Sequence, residues 1–239
     1  VLEQEGYLYI RLKEGNTDPF SLPHVGERGW QRLRLIHRFQ NSLVNCAENF
    51  IDVPHTAYVH RGVFRSEQRE GLEAEVHRKD GQVHIHYEGE RANLGLARWF
   101  LNPSGGPIGH RDSFYAPNVT QVEYIFGPRR HFFITSQGVP LNGPDEPPET
   151  LVYTDLVWDY GVWSRLARPL VYLQAKLIIA QDLVALADQG RQIRRWGTEF
   201  RHTEADTHHV MVESLMREIE DGRDPKALPE KRIRMRFWV

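Results

Sequence analysis

Between Glu48 and His60 the chain places Asn49, Asp52, His55 and His60: an amide, a carboxylate and two imidazoles in thirteen residues. Imidazole ligates iron, copper and zinc, and two neutral imidazoles with one carboxylate leave a metal positions open to a reactant. On an ideal helix a five-residue separation turns His55 and His60 about 140° apart, so both reach one ion only where the helix is distorted or ends between them. Pro54 is a reason for such a break. In a chain with 12 histidines the pair also reads as ordinary surface or core residues.

Asp52 precedes His55 by three residues, so its carboxylate can accept the ring N–H that a metal-bound His55 leaves free. Alternatively it caps the turn at Val53-Pro54. Asn49, three residues earlier, can point an amide into the same place. A third ligand must come from elsewhere, and Asp182 is the best candidate. Ile178, Asp182 and Leu186 are spaced i, i+4, i+8, which puts the carboxylate in an apolar helical stripe. Burial of an unpaired carboxylate is costly, and coordination removes that cost. A helix rotated to leave Gln181 and Asp182 in water is the alternative. Asn118 and His131, in strands that can line a cavity, are further pocket candidates. His84 and His86 read as exposed hairpin residues, and His208-His209 as the start of the last helix. No Gly-rich phosphate loop, nucleophile elbow or Cys–His catalytic signature is present.

The elements that must position these residues follow from periodicity. Trp30–Phe39 alternates as a half-buried strand, the His cluster reads as a helix interrupted at Pro54, and Glu73–Glu88 is a hairpin turning at Asp80-Gly81. Further strand-like runs are Ala97–Leu101, Ser113–Phe126, His131–Gly138 and Leu151–Tyr160, with a Pro/Gly-rich loop at Pro140–Pro148. Trp163–Trp196 suits a long helix and Thr207–Glu220 a second one, with Arg232–Val239 an extended tail. Strands followed by helices predict an α+β fold in which a curved antiparallel sheet closes over the long helix around a cavity.

At 239 residues the chain can hold a large core, and its formal charge of −2 offers no electrostatic case for nucleic acid. No apolar run reads as long enough for a membrane span, and Val1–Gly6 lacks the pattern of a signal peptide. The single cysteine, Cys46, excludes an intrachain disulfide and a cysteine-built zinc or iron–sulfur site in this chain. A cytoplasmic location is the expectation. Tyr7–Leu12 alternates like a strand with almost nothing ahead of it, like the last strand of a preceding unit.

The segment Asn49-Phe50-Ile51-Asp52-Val53-Pro54-His55-Thr56-Ala57-Tyr58-Val59-His60 resembles the N-x-x-D-x-x-H-x-x-x-x-H segment of Rieske-type non-haem iron oxygenases. Gln181-Asp182 stands where that family has Glu-Asp on a long C-terminal helix. The likeness spans nearly the whole chain in element order and is greatest to the monooxygenase and O-demethylase branch similar to vanillate demethylase. It implies a helix-grip (START-like, Bet v 1-like) fold. It implies that His55, His60 and Asp182 ligate a mononuclear Fe(II) with positions left for O₂ and water. Asp52 would hydrogen-bond His55 and pass electrons from a Rieske [2Fe–2S] cluster, which in the family's trimers belongs to the neighbouring subunit, and Asn49 would lie near the iron. A ferredoxin or reductase would feed the cluster, and the cavity would take an aromatic or otherwise hydrophobic small molecule.

One departure matters. A Rieske centre needs two cysteines and two histidines, and a single cysteine cannot build it. Residues 1–29 are therefore read as a linker and the last strand of an N-terminal Rieske domain outside this sequence, with 30–239 as the catalytic domain; a separate electron-donor chain is the alternative. The resemblance implies O₂-dependent hydroxylation or oxidative demethylation. Competing readings are a START-like module that binds a hydrophobic ligand without redox activity, and a metal-dependent hydrolase.

Overall fold

The computed structural model describes residues 1–10, 18–60, 71–89, 106, 108–127, 130–143, 145–198 and 200–238. The strand expected at Ala97–Leu101 lies outside the described residues. Two short strands, β1 (Leu2–Gln4) and β2 (Tyr7–Tyr9), form a hairpin of their own. They precede β3 (Gln31–Phe39), helices α1 (Leu43–Ile51) and α2 (Val53–Val59), and the hairpin β4 (Gly71–Lys79)–β5 (Gln82–Glu88). Next come β6 (Gly109–Tyr115), β7 (Val119–Ile125), β8 (His131–Pro140) and β9 (Thr150–Asp159). The long helix α3 (Arg168–Trp196), α4 (Thr207–Glu220) and β10 (Lys231–Trp238) complete the chain. Among the described residues eight strands make one antiparallel sheet in the order β10-β4-β5-β6-β7-β8-β9-β3, curved around the helices: the α+β, helix-grip architecture expected from the sequence.

Local chemistry explains the boundaries. Asp80 and Gly81 both take positive φ, 51° and 75°, which suits a two-residue hairpin turn. Ser113–Phe126, expected as one strand, is two, because Ala116-Pro117-Asn118 turns the chain between β6 and β7 and Asn118 Nδ2 donates to the Gly138 carbonyl at 2.9 Å. The long helix starts at Arg168 rather than Trp163. Before it, the Asp159 carboxylate accepts from Gly161 N (2.7 Å) and the Ser164 carbonyl from Trp158 Nε1 (2.9 Å), holding a tighter turn. By length and composition α3 is apolar enough to cross a membrane, contrary to the expectation that no apolar run is long enough; here its Ile179, Asp182 and Leu186 are buried.

Among the described residues, three apolar groups fill the grip. The largest joins α1 and α4 to β4–β6 and β10 around Val76, Ile85, Phe114 and Leu215, all fully buried. A second surrounds Trp158 and Val171, and a third joins Phe39, Cys46 and Val152 to Ile179 and Leu186. Each such side chain contributes about 1.5–3 kcal/mol when taken out of water. At the junction of β3 and α1, Asn41 Nδ2 donates to the Leu186 carbonyl (2.9 Å) and to Gln189 Oε1 (2.8 Å), fastening α3 to the start of α1. Those contacts set the height at which Asp182 meets the histidines. On the opposite side of the sheet Asp155, wholly buried, receives Tyr7 Oη (2.5 Å), Arg32 Nε (2.7 Å) and Arg34 Nε (3.1 Å), docking the N-terminal hairpin.

Candidate metal centre

Ser42 caps α1 by accepting from Asn45 N at 3.3 Å. Nine residues later the helix stops: Asp52 is extended (φ −90°, ψ 95°), and Val53-Pro54 starts α2 on a new axis. Pro54 has no N–H for the Phe50 carbonyl and its ring would clash there, so one continuous helix cannot pass through this point. His60 leaves helical geometry at the end of α2 (φ −104°, ψ 30°). The two rings that an ideal helix would hold apart converge edge to face, centroids 5.0 Å apart, with their Nε2 atoms separated by 3.2 Å.

Asp182, 5% exposed, completes the group: Oδ1 lies 3.1 Å from His60 Nε2 and 3.7 Å from His55 Nε2. Cis ligands at metal bonds of about 2.1 Å stand about 3 Å apart, so this spacing fits one ion bound on one face by N, N and O. The outer edges of both rings are occupied. His55 Nδ1 bonds the Asp52 backbone carbonyl, and His60 Nδ1 bonds Gln181 Oε1 at 2.8 Å. Carbonyl oxygens only accept, so each Nδ1 carries the proton and each Nε2 turns a lone pair inward. Two inward lone pairs and an Asp182 oxygen buried without a well-directed hydrogen bond among the described residues are an unfavourable set until a cation joins them. Burial lowers the His55 pKa and keeps the ring neutral. For His60 burial also acts downward, but Asp182 and Gln181 outweigh it and the net shift is upward.

Asp52 differs in detail from the expectation. Its backbone carbonyl, not its carboxylate, takes the His55 Nδ1 proton; carboxylate Oδ2 is 3.8 Å from Nδ1, and Oδ1 is 3.7 Å from His208 Nε2 of α4. Burial, then the negative charges of Glu48, Asp206 and Asp112, push the Asp52 carboxyl up to about 7. Burial, then the neighbouring His209, push His208 down to about 4. Gln181 and His208 are the residues that sequence reasoning missed. In the sequence Gln181 differs from the family's Glu beside Asp182 but carries no sign that it meets His60, and the adjacency of His208 to Asp52 has no local signal.

The donor atoms open onto a cavity of about 150 Å³ between sheet and α3. Inward positions of β7, β8 and β9 form three tiers by register: Thr120, Ser136 and Thr154; then Val122, Ile134 and Leu156; then Tyr124 and Phe132, with Tyr160 beside them. Phe50, Val171, Ala175 and Ile178 supply the helical wall, and Asn49, whose buried Nδ2 has no hydrogen-bond partner among the described residues, lies on the lining. The structure places the two other pocket candidates away from this cavity. Asn118 lines a smaller adjoining cavity and spends its amide on the Gly138 carbonyl. His131 belongs to the other face of β8, since Phe132, Ile134 and Ser136 point inward; it lies 3.5 Å from Glu123 and stacks with Phe133. Period-2 alternation leaves that choice of face open by one residue.

Residues 40–221 match the family model of the vanillate O-demethylase oxygenase C-terminal domain. The chain belongs to this family. No curated protein sequence matches it. Among solved structures, Pseudomonas putida CBB5 NdmA with caffeine superposes with a TM-score of 0.64 at 14% identity, over 87% of this chain and 58% of that one. Pseudomonas putida CBB5 NdmB gives 0.62 at 14%, over 91% and 60%. Dicamba monooxygenase bound to dicamba gives 0.64 at 14%, over 87% and 65%. At these identities the structural likeness speaks for the fold. The chain also spans less than two thirds of the length of those proteins.

Proposed function

We propose that this chain is the catalytic domain of a Rieske-type oxygenase that hydroxylates or oxidatively demethylates an aromatic or hydrophobic small molecule. His55, His60 and Asp182 would hold one Fe(II). The observation that carries this reading is the pair of Nε2 lone pairs directed, together with Asp182 Oδ1, at one point on the cavity wall. It weighs against a ligand-binding module that uses no metal. When bound, Fe(II) supplies reductive activation of O₂; the chain's own residues supply the surroundings. The aliphatic and aromatic tiers bind an apolar ring and keep water out. Asn49 Nδ2 and the Thr120–Ser136–Thr154 tier offer hydrogen bonds that orient it. Asp52, joined to the Nδ1 edge of His55, is the link toward the electron source.

That source is a Rieske [2Fe–2S] centre on an N-terminal domain or a partner chain, fed by a ferredoxin or reductase, in a homotrimer acting in the cytoplasm. The family and the shared fold with NdmA, NdmB and dicamba monooxygenase support the oxygenase class over a hydrolase. The test is single-turnover chemistry: Fe(II)-loaded protein, a chemical reductant, O₂ and a panel of aryl methyl ethers and N-methyl heterocycles. Formaldehyde or hydroxylated product in the wild type and none in His60→Ala is the expected result. Zinc-loaded protein that hydrolyses esters or amides without O₂ uptake would favour the hydrolase instead.

A further inference from the structure

A second cluster of metal-ligating side chains stands at the start of α4, outside the site above. His209 and Glu213 are one helical turn apart, with Nε2 and Oε1 separated by 4.0 Å. His202 joins them from the preceding turn, and one ligand atom from each of the three lies within 4.8 Å of the others. The two imidazoles already face each other, ring centroids 5.2 Å apart. Ligand atoms of a tetrahedral zinc site stand about 3.3 Å apart at Zn–N bonds of about 2.0–2.1 Å. Closing this group around an ion therefore takes movements of about 1 Å, mostly from the exposed His202.

Three features hold the group for that purpose. Glu48 on α1 lies 2.8 Å from His209 Nδ1, an ion-pair contact off the line of a good hydrogen bond, which puts a carboxylate behind the ring on the side away from Glu213. Arg217 holds the second oxygen of Glu213 at 2.9 Å, which turns Oε1 toward His209. Between His202 and His209, Thr203 and Asp206 form a capping box: Thr203 N and Oγ1 donate to Asp206 Oδ2 at 2.6 and 3.0 Å. That turn sets the height of His202 beside the helix. His209 is buried and His202 exposed, so an ion has a path in from solvent and a fixed ligand at the far end.

We propose that His202, His209 and Glu213 form a second metal site for a borderline divalent cation of the Zn²⁺ or Co²⁺ class, with water in the remaining position. An N₂O donor set suits such ions, and Irving–Williams order places Zn²⁺ above Fe²⁺ for it. Through Glu48 the ion fastens α4 to α1, beside the segment that carries Asp52.

Zinc titration of the whole chain, read as bound metal per chain after gel filtration, tests this. Two equivalents are expected for the wild type, one for His55→Ala/His60→Ala, one for His202→Ala/Glu213→Gln, and none for the four changes together. Glu48→Gln, a change in the positioning residue, should weaken the second equivalent about tenfold. His202→Ala alone, at an exposed position, keeps the test valid should the double variant misfold by circular dichroism. Two equivalents retained in both His202 variants, or none bound by His55→Ala/His60→Ala, would overturn the proposal. One equivalent in the wild type, lost with the His202 variants and kept in His55→Ala/His60→Ala, would uphold it and count against the iron site.

Discussion

Gly190 sits where α3 crosses the end of β3, and a methyl group there tests how the metal centre is positioned. A Cβ at this residue would stand 2.6 Å from the Gln40 carbonyl oxygen and 3.6 Å from Asn41 Cγ. Ordinary contact begins near 3.4 Å, so helix or strand must yield by 3.4 − 2.6, about 0.8 Å, and the obstacle is backbone. Asp182 lies eight residues earlier, about 12 Å along the same rod, and shifts with it. A metal site tolerates about 0.2 Å in its ligand distances. Gly190→Ala gains about 1 kcal/mol of helix propensity, while overpacking costs about 1–3 kcal/mol. The expected net loss in urea unfolding is about 1 kcal/mol, accompanied by at least tenfold weaker Fe(II) binding in an anaerobic titration. Gly143→Ala, whose Cβ meets nothing within 4 Å, is the control and should change neither. Wild-type metal affinity in Gly190→Ala, or a rise in stability by the full propensity gain, would refute the idea that this close crossing sets the height of Asp182.

Replacing Gln181 with Leu removes the acceptor from His60 Nδ1 and should weaken Fe(II) binding about 10–100-fold, whereas Gln181→Glu should retain it. Tyr7→Phe leaves buried Asp155 without one of its donors and should cost about 1–3 kcal/mol in urea unfolding, with no effect on metal affinity. His208, held near 4 against 6.5 when unfolded, stays neutral in the folded state. Its contribution to stability is present above pH 6.5 and is lost as pH falls through 4. Asp52, pushed up to about 7, works the other way: its contribution is present below its unfolded value of 3.8 and is lost as pH rises through 7. Urea midpoints between pH 4 and 7 should therefore depend less steeply on acid in His208→Gln and more steeply in Asp52→Asn. Equal slopes in the two variants would show that the buried pair does not control the acid limb.

Much of this fold is legible locally. Asp80-Gly81 between alternating strands specifies its hairpin, and the Val212, Leu215, Ile219 stripe marks α4, whose bounds match the expectation. Alternation continues on both sides of Pro117 and hides the β6–β7 boundary, where turn chemistry outweighs it. At the metal centre, the Pro54 break was visible, and the 140° objection to His55 and His60 disappears once the helix is bent there. The orientation of α3 was not visible. Whether Asp182 or its neighbours face inward depends on Asn41 gripping Leu186 and Gln189 across 145 or more residues, a contact that has no periodic signature. The same holds for Asp52, whose backbone rather than carboxylate reaches His55 because the chain is extended there.

The central claim is that His55, His60 and Asp182 together hold one iron. Crystals of the chain loaded anaerobically with Fe(II), measured on either side of the iron absorption edge, test it directly. The expected result is one anomalous peak about 2.1 Å from both Nε2 atoms and from an Asp182 carboxylate oxygen, absent from Asp182→Ala crystals. An iron-loaded crystal with no peak between these three side chains, or one whose peak persists without Asp182, would contradict it.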